Sequence, residues 1–332
     1  MSKADAAAAI LWVGATFYAL FGGADFGGGF WDLVAGGDEK GAKPRALIQR
    51  SLTPVWEANH VWLIFILVVL WTAFPPAFSA IFSTLYVPIA LAAVGIVLRG
   101  AGFAFRKTVA TLTGQRSFGA IFALSSVLTP FFMGATVGAI AAGNVPADGN
   151  GDAFSSWLQP LPLLVGAMFV ATGAYLSAVF LVGDARRAGE QDLERYFVRR
   201  ALAAGAVAGL AAAVGLIELH AEARYVFDRL VDQGLPLVIV SLLCGVGLLA
   251  VLLRGGRRPL RPLAAGAVVA VIWGWGVAQF PYLLPTSLRI DQAAAPEPTL
   301  EIVFVVFGAA AILVLPSLAL LYALTQREVL EH

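Results

Sequence analysis

The sequence predicts an all-α, polytopic membrane protein with nine transmembrane helices, and three observations carry that expectation. Of the 332 residues, 59% are hydrophobic and only 13% charged, against about 25% charged in soluble domains. The mean hydropathy is +0.82, and nine apolar runs reach the ~20 residues needed to cross a ~30 Å hydrocarbon layer. Lys and Arg gather in alternate connections between those runs. With 22 basic and 21 acidic residues the chain has too few charges to cover a soluble enzyme of this size. Its net charge of +1 creates no field for polyanions, which excludes a nucleic-acid binder. A single cysteine, Cys244, excludes an internal disulfide framework and a multi-cysteine metal site.

The first run, near 8–33, is too long and glycine-rich for a cleaved signal peptide. It lacks a basic leader and an A-x-A-like cleavage site, so it is expected to remain in the mature protein. It carries Asp25 among Gly22, Gly23, Gly27, Gly28 and Gly29. That cluster fits neither a phosphate loop nor a dinucleotide fingerprint. In a membrane helix such residues permit close packing, or let water or a cofactor reach the backbone. The second run, near 55–75, opens with Trp56, Glu57, Asn59 and His60. Pro75 and Pro76 break it and predict a short turn into the third run, near 78–98. The fourth run (118–142) and the sixth (200–220) contain Gly134/Gly138 and Gly205/Gly209, spacings expected at helix contacts. The fifth lies near 159–183 and the seventh near 235–253. The eighth, near 263–283, holds Trp273-Gly-Trp275-Gly before Pro281 and Pro285, which are expected to unwind it. The ninth lies near 299–325. No connection is long enough for a separate unit, so residues 1–332 are expected to form one integral membrane domain.

Lys3, Arg224, Arg229 and Arg289 fall on one side of this arrangement and the other 18 basic residues on the opposite side. Positive charge marks the cytoplasmic side, so the N-terminus is expected outside and the C-terminus in the cytoplasm. That orientation requires an odd number of spans.

An ionisable group at membrane depth is expensive and therefore a functional candidate. Asp25 lies about 25 Å along the first span at ~1.5 Å per residue, toward the cytoplasmic end. Glu57 begins the second span at a similar depth, with His60 on the same face one turn on. One reading is a proton path from the cytoplasm, running from Asp32 to Asp25 and Glu57. The other is that Glu57 and His60 bond to each other and only lock helices together. Haem ligation needs His, Met, Cys or Tyr ligands. Only His60 is well inside the membrane, Met133 and Met168 have no evident partner, and no metal site is expected. A proton-coupled transporter is an alternative reading of the same carboxylates.

Four segments together resemble cytochrome bd oxidase subunit II. Gly23-Ala24-Asp25-Phe26-Gly27-Gly28-Gly29 is similar to that family's first-span motif, and Pro54-Val55-Trp56-Glu57-Ala58-Asn59-His60-Val61-Trp62-Leu63 to its second. Arg99 to Arg106 resembles the close of its third span, and Phe280-Pro281-Tyr282-Leu283-Leu284-Pro285-Thr286-Ser287 that of its eighth. The resemblance implies two four-helix bundles plus one peripheral helix in a bacterial cytoplasmic membrane. It implies pairing with cytochrome bd subunit I, which would carry haem b and haem d and oxidise quinol. A small single-span subunit and a bound lipid or quinone are further implied partners. Asp25 and Glu57 then match residues of a proton path. His60, Asn59 and Trp56 become candidate polar contacts toward the partner's haems, with no catalytic residue in this chain alone. Two departures stand out: the first Asp of the first-span motif is missing, and Ala104 stands where the family often has an acid. A divergent bd-like complex, or a purely structural subunit, would tolerate both.

Overall fold

A computed structural model describes residues 2–52, 56–256 and 259–326, with the side chains of Trp56 and Glu57 among those outside the description. The first span is α1 (Lys3–Phe17), a π-helical turn (Tyr18–Gly22) and α2 (Gly23–Leu33) in one continuous rod. Ser2 opens it with a reciprocal cap: its hydroxyl accepts from the Asp5 N–H at 3.1 Å, while its own N–H donates to the Asp5 carboxylate at 2.8 Å. After α2 come the connecting helix α3 (Asp38–Leu52) and the second span α4 (Trp56–Ala73).

Here the structure corrects the expected turn at Pro75 and Pro76. Pro75 instead starts a separate helix α5 (Pro75–Thr84), bent 117° from the described part of α4. A proline at the first helical position loses no hydrogen bond, so Pro75 ends one helix and begins the next. The third span is therefore α6 (Tyr86–Thr108), which begins later than expected and runs through Arg99 and Arg106.

The remaining spans are α7 (Leu112–Ala141), α8 (Pro160–Arg187) and α9 (Gln191–Glu222). A short α10 (Arg224–Asp232) follows, then α11 (Leu235–Leu253) and α12 (Leu260–Gln279). The eighth span stops at Gln279, as its prolines predict. A two-stranded antiparallel hairpin of β1 (Tyr282–Leu284) and β2 (Leu288–Arg289) follows, with Tyr282 opposite Arg289. The one-turn α13 (Ile290–Ala293) leads into α14 (Glu297–Gln326). Among the described residues, eight helices are long and apolar enough to cross a membrane, and the bent pair makes nine.

Lipid tails are as apolar as leucine, so these helices associate by close packing rather than by escape from water. The glycines act at that level. A Cβ at Gly27 would collide with the carbonyl of Gly173, and one at Gly173 would lie 2.7 Å from the carbonyl oxygen of Gly23, so α2 and α8 meet backbone to backbone. Gly134 and Gly138 do the same for α7 on α8, with would-be Cβ atoms 2.7 Å from Val165 O and 2.6 Å from Pro162 Cα. The expected contact at Gly205/Gly209 is only half met: Gly205 faces Tyr175, while Gly209 has nothing within 4 Å.

The tryptophan run of α12 docks the first span. Trp273 Nε1 donates to Thr16 Oγ1 at 3.1 Å, and Trp275 lies 5.0 Å from Trp12 between ring centroids. Two buried clusters result. One joins α1, α4, α5, α7 and the hairpin around Ala73, Phe74 and Leu85. The other joins α2, α3, α8, α9, α11 and α12 around Leu176, Val182 and Phe197.

Candidate functional site

Asp25 and Asp32 are seven residues apart on α2 and share a face, two turns or about 10.5 Å from each other. Arg99 and Arg106 are likewise seven apart on α6. Asp25 pairs with Arg99 and Asp32 with Arg106, both across 74 residues. The equal offset means that α2 and α6 run parallel and share a ladder of two ionic rungs.

The deeper rung is closed. Asp25 and Arg99 are each 1% exposed, and Arg99 Nη2 lies 2.8 Å from Asp25 Oδ1. The same nitrogen reaches the Asp25 carbonyl oxygen at 3.3 Å, and Nε donates to Ser126 Oγ on α7 at 3.0 Å. The guanidinium carbon lies 4.9 Å from the ring centroids of both Phe26 and Phe122, within range of a cation–π attraction. Gly29 makes room for this, since a Cβ there would collide with Ser126 Oγ. Asp25 Oδ2 and Arg99 Nη1 are buried with no hydrogen-bond partner among the described residues.

The outer rung is doubly held. Asp32, 4% exposed, has Arg106 Nη1 at 2.7 Å from one oxygen and Arg45 Nε at 3.1 Å from the other. Arg45 belongs to α3, so this rung also ties that helix to the end of the first span. Leu47 and Ile48 bury the apolar side of α3 in the second cluster.

The second span meets the pair at the π-turn. Such a turn widens the helix and frees a carbonyl from the regular pattern; Asn59 Nδ2 donates to Phe21 O there at 3.3 Å. The His60 ring lies 6.0 Å from Phe26 and 6.3 Å from Tyr18 between centroids. Asp25 and Arg99 are within electrostatic reach of each other and of both His60 and Tyr18. The structure thus brings Asp25, Asn59 and His60 to one place and sets Asp32 on the next rung. Trp56 and Glu57 stand in the first turn of α4, with side chains outside the described residues.

Arg99, Arg106, Arg45 and Ser126 are the members that sequence reasoning passes over. Arg99 and Arg106 count as cytoplasmic connection charges when the third span is placed at 78–98. The signal that finds them is the matching seven-residue spacing of Asp25/Asp32 and Arg99/Arg106.

The His60 ring is flanked by the rings of Tyr18 and Phe26, and the Met133 sulfur accepts from the Tyr18 hydroxyl at 3.8 Å. Among the described residues no three His, Cys, Asp or Glu side chains are grouped to hold a metal ion.

Comparison with known proteins places the chain. Residues 4–325 match the family described as cytochrome bd terminal oxidase subunit II. A putative cytochrome bd menaquinol oxidase subunit II of Bacillus subtilis is 22% identical over 97% of this chain and 95% of its own length. Cytochrome bd ubiquinol oxidase subunit 2 of the same organism is 26% identical over 85% of this chain and 80% of its own. A solved bd oxidase chain from Geobacillus thermodenitrificans superposes with a TM-score of 0.81 at 25% identity, covering 98% of both chains.

Proposed function

The chain belongs to the cytochrome bd terminal oxidase subunit II family, and on that basis we propose that it is the haem-poor partner supplying a proton path for reduction of oxygen to water. As a family member it is a subunit of a terminal quinol oxidase complex, an oxidoreductase, and it has subunit I as partner. The complex uses haems and quinol, and the chain is a multi-pass membrane protein. In our reading haem b and haem d reside in subunit I, where they supply the electron route to oxygen. The Met133 sulfur, which accepts from the Tyr18 hydroxyl at 3.8 Å, supports that division.

The observation that carries the proton path is Asp25, a carboxylate enclosed inside an apolar span, with one oxygen bonded to Arg99 and the other without a hydrogen-bond partner among the described residues. Protons from the cytoplasm pass Asp32, rise two turns to Asp25 and leave toward Glu57 at the start of α4. Asn59 holds the π-turn beside that route. His60, Asn59 and Trp56 belong to this reading as polar residues on the partner's haem side of the path, a role for which Asn59 and His60 are placed beside Asp25. The N-terminus is outside and the C-terminus cytoplasmic, in a bacterial cytoplasmic membrane. The nine spans divide into two four-helix bundles with α14 peripheral. Only 6% of the apolar stretch of α9, and the same share of α14, is covered by the rest of the chain. Those faces are open to lipid, quinone or a small single-span subunit.

The test is oxygen reduction by the two-subunit complex. Asp25→Asn and Glu57→Ala are each expected to lower turnover by about 10²-fold, the range for loss of a positioned proton-transfer group. Complex assembly and b- and d-type haem bands are expected to persist. Full turnover in both variants removes the relay and leaves a scaffold. A protein that purifies alone and drives proton-dependent uptake into liposomes is a transporter instead.

A further inference from the structure

We propose that Arg99 is a positioning residue for proton transfer at Asp25: it fixes Oδ1 and thereby assigns the moving proton to Oδ2. This inference rests on the relay reading of Asp25 given above. It follows from how the five N–H groups of the guanidinium are used. The Nε hydrogen goes to Ser126 Oγ at 3.0 Å. Nη2 faces Asp25 Oδ1 at 2.8 Å and the Asp25 carbonyl oxygen at 3.3 Å. Nη1 has no partner among the described residues, and neither has Asp25 Oδ2. Arg and Asp most often meet through two parallel bonds; here the carboxylate is held by one oxygen only.

The holder is itself rigid. Ser126 spends its own hydrogen on Phe122 O at 2.7 Å, so its lone pairs are committed to accepting from Arg99. Phe26 and Phe122 flank the guanidinium with equal 4.9 Å separations. The bond from Nη2 to the Asp25 main chain ties the arginine to the backbone of the residue it orients. Asp25 therefore has a fixed side-chain direction, with Oδ2 turned away from the clamp. Among the described residues, the titratable and charged groups around it are Arg99 from α6, His60 from α4 and Tyr18 from the π-turn. In the transfer, an O–H bond forms at Oδ2 as a water or hydronium gives up its proton. That bond breaks when the proton passes to the next acceptor, and no electron moves.

A second role for Arg99, neutralising a buried charge, needs only a cation. Arg99→Lys keeps the charge but has no Nε–H to meet Ser126 and no planar fork. Ser126→Ala keeps both charges and removes only the acceptor that orients Arg99, so it decides the matter if Arg99→Lys fails to assemble. Each variant is to be made in the complex with subunit I and measured in two ways. One is turnover with proton uptake. The other is the infrared carboxyl band of Asp25 in redox-difference spectra, identified by its absence in Asp25→Asn. The expected result is normal haem content, with turnover down about tenfold or more in Arg99→Lys, as for a misplaced reacting group. Ser126→Ala is expected to show a smaller loss, and both to show a displaced band. Wild-type turnover and an unmoved band in both, with Asp25→Asn slow, overturn the role of Arg99 alone. Full turnover in Asp25→Asn overturns the relay beneath it.

Discussion

A guanidinium that is 1% exposed inside an apolar helix persists because every group touching it is arranged for it. Removing one member of such a buried pair leaves the other charge uncompensated and costs about 3–5 kcal/mol. Arg99→Ala is therefore expected to lower the thermal stability of the complex steeply. The double change Asp25→Asn with Arg99→Gln, close in shape and free of charge, is expected to recover most of that loss. Thermal unfolding of the three complexes checks it. Gly27→Ala offers a purely steric contrast: its Cβ would strike the Gly173 backbone, which has no side chain to swing aside. Overpacking of this kind costs typically about 1–3 kcal/mol, so yield of assembled complex is expected to fall while the pH dependence of turnover is kept. In the 143–158 segment, Asp152 accepts from the N–H groups of Ser155 and Phe154 at 2.7 and 3.0 Å. Those bonds hold its carboxyl below the ordinary carboxylate value. A lowered folded-state value means the loop's order is complete above the ordinary value and is lost as pH falls through the lowered one. Amide exchange at Phe154 and Ser155, corrected for intrinsic rates, is the measurement. Of these residues Asp25 was legible in the sequence, because a carboxylate in an apolar run is costly and stands out. Arg99 was not. A basic residue near a predicted span end is ordinarily a cytoplasmic charge, and hydropathy does not separate it from a partner buried about two turns inside the helix.

At the scale of elements, α3 is the piece whose attachment is narrow. It is joined to the end of the first span through Asp32–Arg45 and buries Leu47 and Ile48 against the second cluster. Arg45→Gln removes the ion pair with Asp32 and leaves the apolar contact of Leu47 and Ile48. Backbone exchange across 38–52 is expected to quicken several-fold, with no change in α8, which packs beneath it. Mass-spectrometric exchange on the intact complex resolves the two. The expected and observed spans show where an apolar profile informs and where it does not. The seventh span agrees end for end, because Gly234 precedes it and Arg254 follows it. The third was placed eight residues early, because α5 is as apolar as α6. Nothing in hydropathy distinguishes a helix that turns sharply from one that crosses. The clue lay in Pro75, which suits a helix start better than a loop. Span-end tryptophans usually anchor at the membrane surface, yet Trp12 and Trp31 donate inward to Ile272 O and Ala174 O at 3.1 and 2.8 Å.

For the whole molecule, the proposed orientation sets residue 150 outside and residue 191 in the cytoplasm. On a Cys244→Ser background, Asn150→Cys is expected to react with an impermeant maleimide in intact cells. Gln191→Cys is expected to react only after the membrane is opened. The reverse pattern inverts the proposed topology and with it the direction of the proton path. The two-rung ladder also bears on how the chain is made. Asp25 is synthesised 74 residues before Arg99, and Asp32 74 before Arg106. A lone aspartate costs up to about 2.5–3.5 kcal/mol to insert, the value at the centre of a membrane helix, so the first span gains by the arrival of the third. Both rungs close only when α6 slides in parallel to α2 at one register. A slip by two turns would set Asp25 against Arg106 and leave Arg99 without a carboxylate. Biogenesis therefore has a checkpoint written into it: the nascent first helix waits, at the translocon or the bilayer edge, for a cation that the ribosome has yet to deliver.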